Sequence, residues 1–263
     1  EKGVTKAESK TADYPFATFS CDLPSKGLLY PQGHPLHDQK SVELKYMTAK
    51  EEDILTSPTL LRSGKAINRV VQNCLAKKVD TATLLVGDRN ALLVALRVSG
   101  YGPEYKVNLT SPQSGESFEH EFNLSKMEIK YLSKKPVDDF SNCFSTTLPV
   151  SKANITFRLL TVGEETRLGN EIEKLAKTTK QEHNITMRLS AQITSVNGNS
   201  DPMYIRKFCE SLPVKDSREY RTIYAEYLPD VDMTQWITDP TTGEEIEVDI
   251  PVGPEFLWPA ATR

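Results

Sequence analysis

The sequence has no CxxC pair, and its four cysteines (Cys21, Cys74, Cys143 and Cys209) are scattered. They form neither a disulfide framework nor, by themselves, a zinc site, and a reducing compartment is the expected setting. No apolar run approaches the roughly 18 residues of a membrane-spanning helix. Glu1–Lys10 is charged and lacks an apolar h-region, so no signal peptide is expected there. Histidine is scarce, with only His34, His37, His120 and His183. None stands in an H-E-x-x-H motif, and neither G-x-S-x-G nor G-K-[ST] occurs, which removes the usual zinc-protease, serine-hydrolase and phosphate-loop signatures. His34 and His37 are spaced as two ligands without a third. The acidic pairs Glu51-Glu52, Asp138-Asp139 and Glu244-Glu245 read as solvated charges rather than paired catalytic carboxylates. An excess of one charge sign is also missing. Lys and Arg number 32 against 36 Asp and Glu, a net charge of −4, which argues against a broad nucleic-acid surface. The expectation is no catalytic residue, no cofactor and no metal site.

What is present is a globular balance, 38% hydrophobic and 26% charged over 263 residues. Residues 1–39 read as an extended N-terminal arm and loop, since 21–39 are rich in Pro, Gly and turn formers. Ser41–Met47 alternates as a half-buried strand. Thr48 and Glu51 have the spacing of a capping box, and Pro58 suits a second helix start. Asp88 reads as the N-cap of a strong helix that Gly100 and Gly102 stop. Glu104–Thr110 and Ser117–Leu124 alternate as the arms of a hairpin. Residues 133–142 are a polar connector, and Phe144–Thr161 holds two β-rich runs. Leu168, Ile172, Leu175 and Ala176 give one apolar face to a helix over 163–181. Residues 185–196 fit helix or strand equally. Asp201-Pro202 opens another helix.

A repeat organises these elements. LTSPQSGESFEHEF from Leu109 and ITDPTTGEEIEVDI from Ile237 align without a gap, 128 positions apart. Pro112 matches Pro240 and Gly115 matches Gly243. The same offset pairs Asp88 with Asp216, each read as capping a helix, Leu84 with Leu212 and Val86 with Val214. The predicted fold class is therefore α+β, two related helix-plus-β-hairpin units in one chain. The expected divisions are an arm over 1–39, a first unit over 40–132, a connector over 133–162, a second unit over 163–253 and a tail over 254–263. Both turns have the shape of a zinc knuckle, C-P-x-C-G-E, with its cysteines replaced at 111, 114, 239 and 242. They read as degenerate zinc-ribbon-like hairpins without metal, because Ser, Thr and one Asp do not hold structural zinc.

The chain resembles the baseplate hub and assembly proteins of T-even-type contractile-tailed phages. The carrying segments are LPSKGLLYP (23–31), LKYMTAKEEDILTSPTLLRSGKAINRVVQNCL (44–75), LLVGDRNALLVALRVSGYGPEY (84–105), DPMYIRKFCESLPVKDSREYR (201–221) and FLWP (256–259). The resemblance extends over about residues 21–259, with these segments in the same order. Many relatives carry C-P-x-C-G in the knuckle turns; this sequence departs there, so no zinc is carried over. The resemblance implies a non-enzymatic structural or assembly component of the baseplate, located in the phage tail or, during assembly, in the host cytoplasm. Its implied partners are other baseplate and tail proteins, with self-association in a symmetric assembly. One alternative is an assembly chaperone absent from the finished virion; a more distant one is a zinc-ribbon-derived regulatory or nucleic-acid-binding factor. Candidate partner contacts are Leu28, Leu29 and Tyr30 in the Pro-rich loop and Phe256, Leu257 and Trp258 near the end. These large apolar residues either dock on their own domain or enter a partner's pocket.

Overall fold

The computed structural model of the chain describes residues 17–62, 64–139, 141–179, 184–252 and 254–257. β1 (Thr18–Asp22) pairs antiparallel with β2 (Ser41–Lys45), Phe19 opposite Leu44 and Cys21 opposite Val42. The loop between them buries Leu23, Leu29, Tyr30 and Leu36. The expected extended arm and loop is, over the described residues, a strand followed by a loop that docks on its own chain, with Cys21, Leu23, Leu29, Tyr30 and Leu36 in the core. The Pro- and Gly-rich composition reflects a tightly turned loop, in which Gly27 at φ 73° lies against the backbone of Gln39 and Leu36.

α1 (Ala49–Leu55), α2 (Pro58–Arg62) and α3 (Ala66–Cys74) follow. The Thr48 N–H and hydroxyl both donate to Glu51 Oε2, at 2.9 and 2.7 Å, so the first helix begins at its capping box. α4 (Val86–Tyr101) is the long helix of the first half. Its apolar residues Ala91, Leu92, Leu93 and Leu96 are buried together. β3 (Glu104–Thr110) and β4 (Ser117–Asn123) form the first long hairpin. β5 (Ile129–Lys130), β6 (Phe144–Thr147) and β7 (Asn154–Phe157) lead to α5 (Val162–Thr179) and α6 (Asn184–Gln192). β8 (Ile193–Val196) joins β6 and β7 in the one three-stranded sheet among the described residues. The ambiguous stretch 185–196 is thus a helix followed by a strand. α7 (Pro202–Glu210), α8 (Val214–Tyr227), β9 (Asp230–Val231), β10 (Thr234–Thr238), β11 (Glu245–Asp249) and α9 (Pro254–Leu257) complete the order.

The sheets are small and antiparallel, so the helices and the aromatic side chains between them carry most of the packing. Phe157 sits among Phe144, Tyr220 and Tyr227, with ring centroids 5.7, 5.6 and 5.3 Å away. β5 pairs with β9, Ile129 opposite Val231, which ties the chain after the first hairpin to the chain before the second.

Several local features occur twice along the chain, though among those that follow only the hairpin register keeps the 128-residue offset. Leu109 pairs with Phe118 in the first hairpin and Ile237 with Ile246 in the second, a register conserved under the 128-residue offset. Leu44 bridges Leu75, and Phe157 pairs with Ile193. Thr161 donates from N–H and hydroxyl to Glu164 Oε2, at 3.0 and 3.1 Å, as Thr48 does to Glu51. Lys26 and Lys152, each just after a Leu-Pro turn, have φ of 53° and 55°.

Candidate functional site

Asp88 lies at the third position of α4 rather than at its cap, which corrects the expected role. The N-cap position is Leu85, with no side-chain cap. The Asp88 carboxylate instead accepts from Ser25 N–H at 2.9 Å, Ser25 Oγ at 2.6 Å and Tyr30 OH at 2.7 Å. Tyr30 OH in turn accepts from Leu85 N–H at 3.1 Å. Capping from the side chain of residue 85 is therefore replaced by a hydroxyl delivered from the 23–40 loop. Burial pushes the Asp88 carboxyl above the usual range, outweighing these donors. Burial, then the Asp88 charge, holds the Tyr30 hydroxyl well above its ordinary value.

His34 stacks on Tyr30 at 4.4 Å, accepts Leu36 N–H on Nδ1 at 3.1 Å and bonds Thr83 Oγ1 through Nε2 at 2.9 Å. His37 Nδ1 bonds the Tyr30 carbonyl at 2.8 Å. Both histidines fasten the loop to itself and to the neighbouring turn. His183 lies outside the described residues. The buried thiols of Cys21 and Cys74 are pushed by burial up to about 12, far from the range of a nucleophile.

Asp216 holds the matching third position of α8, whose N-cap residue is Pro213. It too is no cap. It accepts Val150 N–H at 2.7 Å and Ser151 N–H at 2.8 Å from the loop after β6. Burial raises its carboxyl, but the amides of Ser151 and Val150 outweigh that and leave it below the usual range. Each Asp thus anchors a turn of the hairpin that opens its own half.

The two hairpin tips share one geometry. Ser111 N–H donates to Glu116 O at 2.9 Å and Gly115 N–H to Ser111 O at 3.0 Å; Asp239 N–H donates to Glu244 O at 2.8 Å and Gly243 N–H to Asp239 O at 2.7 Å. Gly115 and Gly243 have φ of 74° and 76°, and Pro112 and Pro240 each follow the first turn residue. Ser111 Oγ accepts the Gln113 N–H at 3.3 Å, and Asp239 Oδ1 accepts the Thr241 N–H at 2.8 Å. The tips also touch. Ser114 Oγ lies 2.8 Å from Thr241 Oγ1, and Gln113 Nε2 donates to the Glu244 carboxylate. The side chains at this junction carry hydroxyl, amide and carboxylate groups and no thiolate. Zinc in a knuckle needs thiolates, so this set does not fit it.

The structure buries four of the six candidate partner contacts in the chain itself. Leu29 and Tyr30 lie under the first loop, and Phe256 and Leu257 are 0% exposed. Phe256 meets Tyr105 edge-on at 5.1 Å, and Tyr105 OH donates to Pro251 O at 3.2 Å. The inner face of the first hairpin needed a cover, and the end of the chain supplies it. Leu28 is half-buried, and Trp258 lies outside the described residues. Sequence reasoning missed the large apolar side chains left outside, among them Val150, Val214 and Trp236. Val214 was visible as the partner of Val86 in the repeat, but its different exposure was not.

No helix among the described residues is long and apolar enough to cross a membrane. No curated protein and no solved structure matches the chain. A family described as T4 bacteriophage base plate protein matches residues 18–258, from the first residue of β1 to just past α9. The match takes in both halves and the segment joining them, and the chain belongs to this family of T4-type phage baseplate proteins.

Proposed function

We propose that the chain is a structural component of the hub region of a contractile-tail baseplate, acting through protein–protein contacts and without catalysis. The observation that carries this is the family match across 18–258. The chemistry of the side chains supports it. The buried acids Asp88 and Asp216 are engaged in holding loops, and the two histidines of the first loop fasten that loop. We also infer that the two halves are related units, in which hairpin, capping box, long helix and second hairpin recur in order.

The test is quantitative mass spectrometry of purified virions, combined with tail completion by phage lacking the gene. A component is present in finished particles and its loss blocks tails. Blocked tails with the chain absent from finished particles would identify an assembly chaperone instead. Purified chain that turns over a substrate, with the activity lost on changing one His or Asp, would overturn the non-catalytic reading.

A further inference from the structure

The starts of α4 and α8 correspond in sequence but differ in what covers them. At α4, Leu84 and Leu85 are buried. The cover is the first turn of α5. Val162 N–H donates to Leu84 O at 2.8 Å, and Leu85 bridges Thr161. Gly163 approaches so closely that a Cβ there would stand 2.9 Å from the Ala82 carbonyl oxygen. The first half is thus docked by a helix start that brings a β-branched residue, then glycine, then Glu164 and Glu165.

The same positions at α8 are Leu212, Pro213 and Val214. Val214 is 74% exposed, Pro213 is exposed and Leu212 is only half-buried. The Leu212 carbonyl, counterpart of Leu84 O, accepts no hydrogen bond among the described residues. Val150, tied to the same spot through its N–H on Asp216, adds a side chain 48% exposed. Lys215 follows Val214 directly, and Lys152 lies close enough to Asp216 to act on its charge. The result is a small apolar face with an unused backbone acceptor and a basic rim.

We propose that Val150, Leu212, Pro213 and Val214 form the docking site for the first turn of a helix from another baseplate protein, seated as α5 is seated on the first half. The occupant carries an apolar residue at its first helical position, a small residue at the second and acidic residues next. Helix starts favour acidic side chains, and Lys152 and Lys215 provide the opposite charge. A second copy of this chain does not meet the description. Its free counterpart of the α5 start is Thr48-Ala49-Lys50, which places Lys50 where Gly163 makes its close approach. The inference rests on the two halves being related and on the baseplate role.

The experiment uses the full chain, supplied in trans to phage lacking the gene, with Val214→Asp as the variant. Val137→Asp, at another exposed valine (54%), is the control. A photo-crosslinking amino acid at position 214 reports the neighbour. Asp is well tolerated at a helix start, so Val214→Asp melts like wild type. Its incorporation into baseplates falls about tenfold or more, the scale of one lost apolar anchor, while Val137→Asp is incorporated normally. The crosslink maps to the first turn of a helix in a different baseplate protein. Normal incorporation of Val214→Asp overturns the proposal, as does a crosslink to a second copy or to a segment that is not a helix start. Because crosslinking is read in infected cells as well as in particles, a chain that leaves before the virion is finished fails the component reading without failing this one.

Discussion

Tyr30→Phe tests the loop anchor most directly. The substitution keeps the ring and its stacking on His34 and removes one oxygen. That oxygen does two things: it donates to Asp88 Oδ2 at 2.7 Å and accepts from Leu85 N–H at 3.1 Å, both in the buried interior. Without it, the Leu85 N–H has no acceptor at the start of α4, and Asp88 keeps only its two bonds from Ser25. An unsatisfied buried donor costs about 1–3 kcal/mol, and a hydrogen bond to a charged group contributes about 1.5–3 kcal/mol. The two losses share one atom and partly relax together, so the expected destabilisation is about 2–4 kcal/mol. At about 2–4 °C per kcal/mol for a chain of this size, the melting temperature falls by roughly 4–16 °C. Urea denaturation of both proteins at neutral pH measures it, with Tyr204→Phe, at an exposed tyrosine, as a control near zero. A loss below about 0.5 kcal/mol for Tyr30→Phe would refute the anchor, because surface changes fall in that range.

The two anchoring acids should have opposite pH signatures. Asp88 has a raised carboxyl, so the native state keeps its proton to higher pH than the unfolded chain; its contribution rises as pH falls through the window above about 3.8, and Asp88→Asn loses that slope. Asp216 has a lowered carboxyl, so its contribution is present above about 3.8 and disappears as pH falls below it; Asp216→Asn flattens the acid limb of the stability profile measured by urea melts across pH. Ending the chain after residue 253 removes Phe256 and Leu257 from the core, and thermal or urea unfolding should show a loss of about 3–6 kcal/mol. Gly243→Ala meets nothing within 4 Å but must hold φ 76°, so unfolding should report a cost of about 1–2 kcal/mol from backbone conformation alone; no loss would mean that the turn relaxes.

Much of the local structure was legible because it depends on neighbours in sequence. The Pro-x-x-Gly turns with flanking alternation located both hairpins, and the constant offset carried their register. The Thr48–Glu51 box and the 3.6-residue periodicity after Gly163 marked helices, since caps and apolar faces involve residues three or four apart. The roles of the acids were not legible. Asp88 looked like a cap by its place before an apolar run, yet its partners Ser25 and Tyr30 lie 63 and 58 residues away. The burial of Tyr30, Phe256 and Leu257 in their own chain was also undecided, because any large apolar residue near a turn or an end fits a core or a partner equally well. Val86 and Val214 make the division plainest. They are the same residue at the same place in the repeat, and the tertiary structure alone leaves the one half-buried and the other 74% exposed. Burial depends on which distant element packs against a surface, and the start of α5 packs against the start of α4, where Val162 N–H donates to Leu84 O.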